Sequence, residues 1–174
     1  MKYFLFSNQF GSVRYSAFLS GLGTLLDITT TDPSQVITEQ LILSLDVIVA
    51  LQVFLGGLDP RDDGQFHYVW QDDAMQVVFH AATLMPSTES DTQFNKKKRH
   101  IGNDYVAIVY NDSGDSYTMG TVKGQFIYAH IVVEPLDFGS NRISVVCKQE
   151  LEGELGHLSN SRLVILNKIF KEFN

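Results

Sequence analysis

Tyr105-Val106-Ala107-Ile108-Val109-Tyr110 is almost wholly apolar and rich in β-branched and aromatic residues, and it reads as a buried strand. Both of its flanks are polar. Asn111-Asp112-Ser113-Gly114 closes it with side chains that form Asx turns and a glycine that accepts positive φ. On the other side stand four consecutive cations, Lys96, Lys97, Lys98 and Arg99. A turn-like cluster, His100-Ile101-Gly102-Asn103-Asp104, separates them from the strand. A concentrated charge and a carboxamide are thus held at the edge of a rigid element, which is how a chain positions a site.

Around this strand, helical and extended patterns interleave. Tyr15, Phe18, Leu19, Leu22, Leu25 and Leu26 have helical spacing, which predicts a helix over 10–26; Gly21 and Gly23 weaken it and admit close approach of another backbone. Phe66, Tyr68 and Trp70 alternate within a strand over 64–71. Asp72-Asp73 then reads as the cap of a helix whose buried stripe is Met75, Val78, Phe79, Ala82 and Met85, with Pro86 past its end. Further strands are expected over 126–133, ended by Pro135, and over 142–148. Residues 149–156 are acidic and expected to be exposed, and 162–173 has helical spacing. The pattern predicts an α/β layered domain, with a central mixed sheet flanked by helices.

Composition excludes several classes. A chain of 174 residues with 44 % apolar and 19 % charged residues has enough material for one folded domain. Its net charge of −7 argues against nucleic-acid binding across the surface, so the four clustered cations read either as a solvated face or as a local patch steering an acidic partner. There is no P-loop motif, no nucleophile elbow and no zinc-ligand pairing among the five histidines. The lone Cys147 reads as a small strand hydrophobe, which fits a reducing compartment. The apolar start of the chain is too short for a signal peptide, and no stretch reads as a transmembrane segment.

The stretch 96–114 resembles the catalytic segment of the Rap/Ran-type GTPase-activating (RapGAP) family, and is most similar to its tuberin-type members. Other blocks match in the same order: Arg14-Tyr15-Ser16-Ala17-Phe18-Leu19-Ser20-Gly21-Leu22-Gly23, Leu55-Gly56-Gly57-Leu58-Asp59, Asp63-Gly64-Gln65-Phe66-His67-Tyr68-Val69-Trp70-Gln71-Asp72-Asp73, Phe79-His80-Ala81-Ala82-Thr83-Leu84-Met85-Pro86 and Gly120-Thr121-Val122-Lys123-Gly124-Gln125-Phe126. The resemblance covers roughly residues 7–35 and 53–164.

Taken alone, Gly102-Asn103-Asp104 is a turn triplet. The resemblance instead implies that Asn103 is the catalytic asparagine thumb of a GTPase activator, inserted in trans into a partner's nucleotide site. His100 would position the thumb or contact the partner, where otherwise it makes a local helix-end hydrogen bond. Lys97, Lys98 and Arg99 would bind the partner, where otherwise they are solvated. Asp104 would pair with Lys98 or Arg99, and Asn111 would hold the turn behind the site; both are structural supports. The implied partner is a Ras-family small GTPase, Rheb-like first and Rap or Ral next, with a hamartin-like partner for a full-length protein. The chain would need no cofactor or metal of its own, since GTP and Mg²⁺ belong to the GTPase. A cytoplasmic location, peripheral to membranes carrying that GTPase, follows from the same likeness. The alternative is a non-catalytic interaction module, or an inactive truncated fragment of a tuberin-like protein.

Two segments break the pattern. Residues 36–52 read as an insertion, and 165–174 as an atypical tail of an incomplete catalytic domain. Valine codons begin with GT and one glutamine codon ends in AG, so Val36, Gln52 and Val164 permit translated intron at both places. A genuine loop with a short C-terminus is the other explanation.

Overall fold

The computed structural model describes residues 11–30, 57–122 and 124–156, together with the backbone of 162–166. The expected insertion at 36–52 and residues 167–174 of the expected tail lie outside the described residues. The chain divides into two compact units, within Asn8–Ser90 and within Asp91–Asn174.

In the first unit, α1 (Val13–Ser20) starts where Ser12 Oγ accepts the Tyr15 N–H at 3.1 Å. The helix predicted to reach residue 26 stops at Gly21. Gly23 explains the break: its φ is +155°, and a Cβ built there would lie 2.3 Å from the Val69 carbonyl oxygen. The backbone turns at this glycine into β1 (Thr24–Asp27), which pairs antiparallel with β2 (Phe66–Gln71). Thus Leu25 and Leu26 belong to a strand.

The helix predicted after Asp72 is also replaced. Gln76–Phe79 forms β3, antiparallel to β2 with Tyr68 opposite Phe79. Asp72 Oδ1 accepts the N–H groups of Ala74 and Met75, each at 2.8 Å, while the Asp72 N–H donates to the Met75 carbonyl at 3.0 Å. A carboxylate serving two following N–H groups is common to a helix cap and an Asx turn, and here the waiting edge of β2 selects the turn. His80 is a packed histidine, with Nε2 3.6 Å from Asp63 Oδ1 and its ring edge-on to His67 at 6.2 Å. Among the described residues of this unit, Leu19, Val69, Ala81 and Met85 are the buried apolar ones.

The second unit holds α2 (Asn95–Asn103), β4 (Val106–Tyr110), β5 (Ala129–Pro135), β6 (Ser140–Cys147), α3 (Gln149–Leu155) and β7 (Arg162–Leu166). The strands form one sheet in the order β4-β5-β6-β7. β4 and β5 are parallel, with Val106 opposite Ala129; the other pairs are antiparallel. The expected mixed sheet with helices is therefore present, alongside a separate three-stranded sheet in the first unit. Ala107, Val109, Ile127 and Val132 form its core, each large aliphatic side chain contributing roughly 1.5–3 kcal/mol. β4 is buried on one face only: Val106 is 50 % exposed and Ile108 37 %.

One expectation holds here and one changes: the stretch 149–156 is exposed at all but Leu151 and Leu155, which are half-buried. The acidic stretch after β6 is the helix α3, with Glu150 and Glu152 in its first turn, where negative charge complements the dipole. The helix expected over 162–173 begins instead as β7, paired with β6 from Ser144 opposite Arg162 to Ser140 opposite Leu166. Leu163-Val164-Ile165-Leu166 is a continuous apolar run that suits either period, and the β6 edge decides it. Among the described residues, no helix is long and apolar enough to cross a membrane.

Candidate functional site

The helix α2 is fastened at both ends. At its start Phe94 is left-handed (φ +55°) and supplies no side-chain cap. Asp91 does that work from further back: its two carboxylate oxygens accept the N–H groups of Asn95 at 2.9 Å and Lys96 at 2.8 Å. Those two bonds hold the Asp91 carboxyl below the usual carboxylate range. At the other end, the Asp104 N–H donates to the Ile101 carbonyl at 3.2 Å, and the extended Asp104 backbone leads directly into β4.

A second segment braces that end. The Phe126 N–H donates to the Gly102 carbonyl at 3.4 Å, and the Tyr128 N–H to the Tyr105 carbonyl at 2.8 Å. Gly124 lies so close that a Cβ there would sit 2.6 Å from the Gly102 oxygen. Residues 124–128 are therefore laid across the junction of α2 and β4.

This segment has its own anchor. The Val122 N–H donates to the Tyr117 hydroxyl, which is hydrogen-bonded to Nδ1 of the buried His130 at 2.7 Å. Burial pushes the Tyr117 phenol up to about 12 and the His130 imidazole below its ordinary value. A cleft of about 420 Å³ runs beside the segment, lined by Met119, Val122, Ile127, His130 and Lys148 among others.

The site residues expected from sequence divide sharply on this frame. Asn103 is the last residue of α2 and is exposed; its carboxamide makes no hydrogen bond among the described residues. His100, one turn earlier, is half-buried, with its Nε2 inside. Lys98 and Arg99 are exposed, but Lys97 is only 2 % exposed, and desolvation lowers its pKa. In this geometry Lys97 belongs to the packed side of the helix and does not share a surface with its neighbours. Asp104 is half-buried at the helix end. Asn111 sits at the far end of β4, where its Nδ2 donates to the Asp115 carbonyl at 2.8 Å and its Oδ1 accepts the Ser113 hydroxyl at 2.7 Å.

Asp91, Gly124 and Phe126 were not singled out by sequence reasoning. Their contributions are a backward-reaching cap and close backbone contacts, which leave no periodic signal. The Gly120-to-Phe126 block matched the family pattern, yet only the fold shows what it braces.

No group of His, Cys, Asp and Glu able to hold a metal occurs among the described residues. The arrangement offers a carboxamide, with one acceptor and two donor hydrogens, on a braced post with cations beside it. Such a group can orient water and meet an anion in a partner without exchanging a proton.

The Rap/ran-GAP family model matches residues 45–173. The tuberous sclerosis 2 protein homolog of Schizosaccharomyces pombe is 38 % identical over 75 % of this chain and 9 % of its own length. Ral GTPase-activating protein subunit alpha-2 of Mus musculus is 29 % identical over 84 % of this chain and 7 % of its own. The chain thus spans less than a tenth of the length of these curated relatives. The solved structure of the TSC2 GAP domain superposes with a TM-score of 0.69 at 29 % identity, covering 97 % of this chain and 80 % of that one.

Proposed function

Since the chain belongs to the Rap/ran-GAP family, we propose that it stimulates GTP hydrolysis by a Rheb-like Ras-family GTPase, with Asn103 as the residue inserted in trans. The observation that carries this reading is the exposed carboxamide of Asn103, set at the end of a helix braced at both termini. Phosphoryl transfer to water is catalysed mainly by positioning and by compensating charge. Asn103 accepts a hydrogen bond from the attacking water and donates to a γ-phosphate oxygen. The GTPase supplies the P-loop and Mg²⁺. His100 sets the angle of the last helical turn, and Lys98 and Arg99 meet acidic groups bordering the partner's site. Lys97 supports the helix from within, and Asp104 and Asn111 fix the two ends of β4. Rheb ranks first because the tuberin homologue is a closer match than the Ral activators; the reaction takes place in the cytoplasm, at membranes carrying the GTPase.

Single-turnover GTP hydrolysis by a panel of Ras-family GTPases, with and without this chain, tests the reading. Asn103→Ala is expected to lose roughly 10²–10³-fold in stimulated rate while GTPase association persists, as when one preorganised donor is removed from a charge-stabilising site. Stimulation by Asn103→Ala equal to the parent's removes the thumb assignment.

A further inference from the structure

Resting on the reading of Asn103 given above, we propose that Tyr105, Phe126 and Tyr128 form a docking platform for an apolar side chain of the GTP-loaded GTPase. That side chain would project from the partner's surface beside the γ-phosphate, within an acidic border.

Tyr105 is 67 % exposed and Phe126 42 %. Large rings left in water at one corner of a domain mark an interaction surface more often than a packing accident. These rings also hold one another. Tyr105 stacks on Tyr128 with centroids 6.0 Å apart and planes 22° apart, and meets Phe126 at 6.5 Å and 62°. Lys148 Nζ lies 4.2 Å above the Tyr128 ring and donates to the Gln125 carbonyl at 3.2 Å. The main chain beneath is tied as well, through Phe126 to Gly102, Tyr128 to Tyr105 and Lys148 to Tyr128. A platform this ordered loses little conformational freedom when it binds, and aromatic residues dominate the energy of interfaces.

The platform is continuous with Asn103. Tyr105 is two residues beyond it, and Phe126 is hydrogen-bonded to the residue before it. A partner that reaches the Asn103 carboxamide therefore has these rings within the adjoining residues. Charge selects the occupant. The chain carries −7 overall, yet the exposed side chains of Lys96, Lys98 and Arg99 stand on the same helix. A second copy would bring the same cations and the same net charge to the contact. A GTPase segment with an apolar centre and acidic edge fits both features.

The test uses the chain with the GTPase that it activates best in the panel. Tyr105→Ser is expected to raise the KM for the GTP-loaded GTPase about tenfold, equivalent to about 1.4 kcal/mol, while kcat stays within about twofold. Tyr105→Phe, which keeps the ring, is expected to retain the parent KM. Phe126→Gln reads the other exposed ring independently, should Tyr105→Ser lose its fold by circular dichroism, and the same rise in KM is expected. A parent KM in folded Tyr105→Ser or folded Phe126→Gln overturns the platform while leaving Asn103 in place. A loss confined to kcat also overturns it, because the rings then shape the helix end and do not dock. Sedimentation that shows a parent dimer dissolved by Tyr105→Ser assigns the rings to a second copy and overturns it. A parent that activates no GTPase in the panel removes the platform and the proposed function together.

Discussion

Lys97 and Arg99 stand two positions apart on α2 and face opposite surroundings. Lys97 is 2 % exposed and its charged form is disfavoured by desolvation; Arg99 is exposed. Steering acts through solvent over about 8–10 Å at moderate ionic strength, so exposed charges carry it and its strength falls as salt is added. Association of the parent with its GTPase is therefore expected to slow as salt rises. Lys98→Ala and Arg99→Ala should flatten that dependence. Lys97→Met should leave the slope as it is and change the thermal unfolding midpoint instead. Association rates by stopped flow across a salt series separate the two outcomes. If Lys97→Met flattens the slope as much as Arg99→Ala does, Lys97 emerges to meet the partner and the division of the cationic run fails.

At the level of elements, the parts of the chain that form the site were the most readable. The strand at 105–110 and the Asn111-to-Gly114 turn each have a local cause that sequence displays, whereas His100 to Asn103, which reads as part of a turn-like cluster, is the last turn of α2. β3 and β7 were misread as helices because Val77-Val78-Phe79 and Leu163-Val164-Ile165-Leu166 are short apolar runs without a decisive period. Their state is set by the partner edges of β2 and β6, which are tertiary facts. β1 was hidden for another reason: a glycine seated against the Val69 carbonyl ends a pattern that its leucines continue. The brace at 124–128 was invisible as a brace for the same cause, since close backbone contact has no residue pattern beyond glycine itself. Gly124 therefore offers a sharp test of the site as a built object. Its φ is not in the left-handed region, so Gly124→Ala acts through space: the new methyl group would meet the Gly102 oxygen and Ile127 Cδ1, each at 2.6 Å. Overpacking of this kind costs roughly 1–3 kcal/mol and is relieved by moving one of the two elements. If α2 moves, Asn103 moves with it. Gly124→Ala is expected to stay folded by circular dichroism and to lose at least about tenfold in stimulated kcat, since small misplacements are costly at a reacting centre. Parent kcat in a folded Gly124→Ala would show that the thumb does not depend on this brace.

Across the whole molecule, two charge effects oppose one another as the medium is acidified. The net charge of −7 shrinks toward the isoelectric point near pH 5.1, which relieves self-repulsion and favours the compact state. His130 works the other way. It is 1 % exposed, its Nδ1 is hydrogen-bonded to the Tyr117 hydroxyl at 2.7 Å, and burial lowers its pKa below the ordinary value of about 6.5. Above about pH 6.5 the imidazole is neutral in folded and unfolded chains alike, so His130 carries no proton-linked penalty. Below that value the unfolded chain binds the proton first. Stability is then lost progressively until the pH passes the lowered folded value, where the loss levels off. The thermal midpoint of the parent should therefore fall as pH drops from about 6.5 to 5.5, although its net charge is diminishing. His130→Gln, which keeps an acceptor for Tyr117 but does not titrate, should flatten the profile or reverse its slope. A parent whose midpoint climbs steadily toward pH 5.1, with His130→Gln running parallel to it, would mean that surface charge governs the molecule and that His130 is linked to nothing.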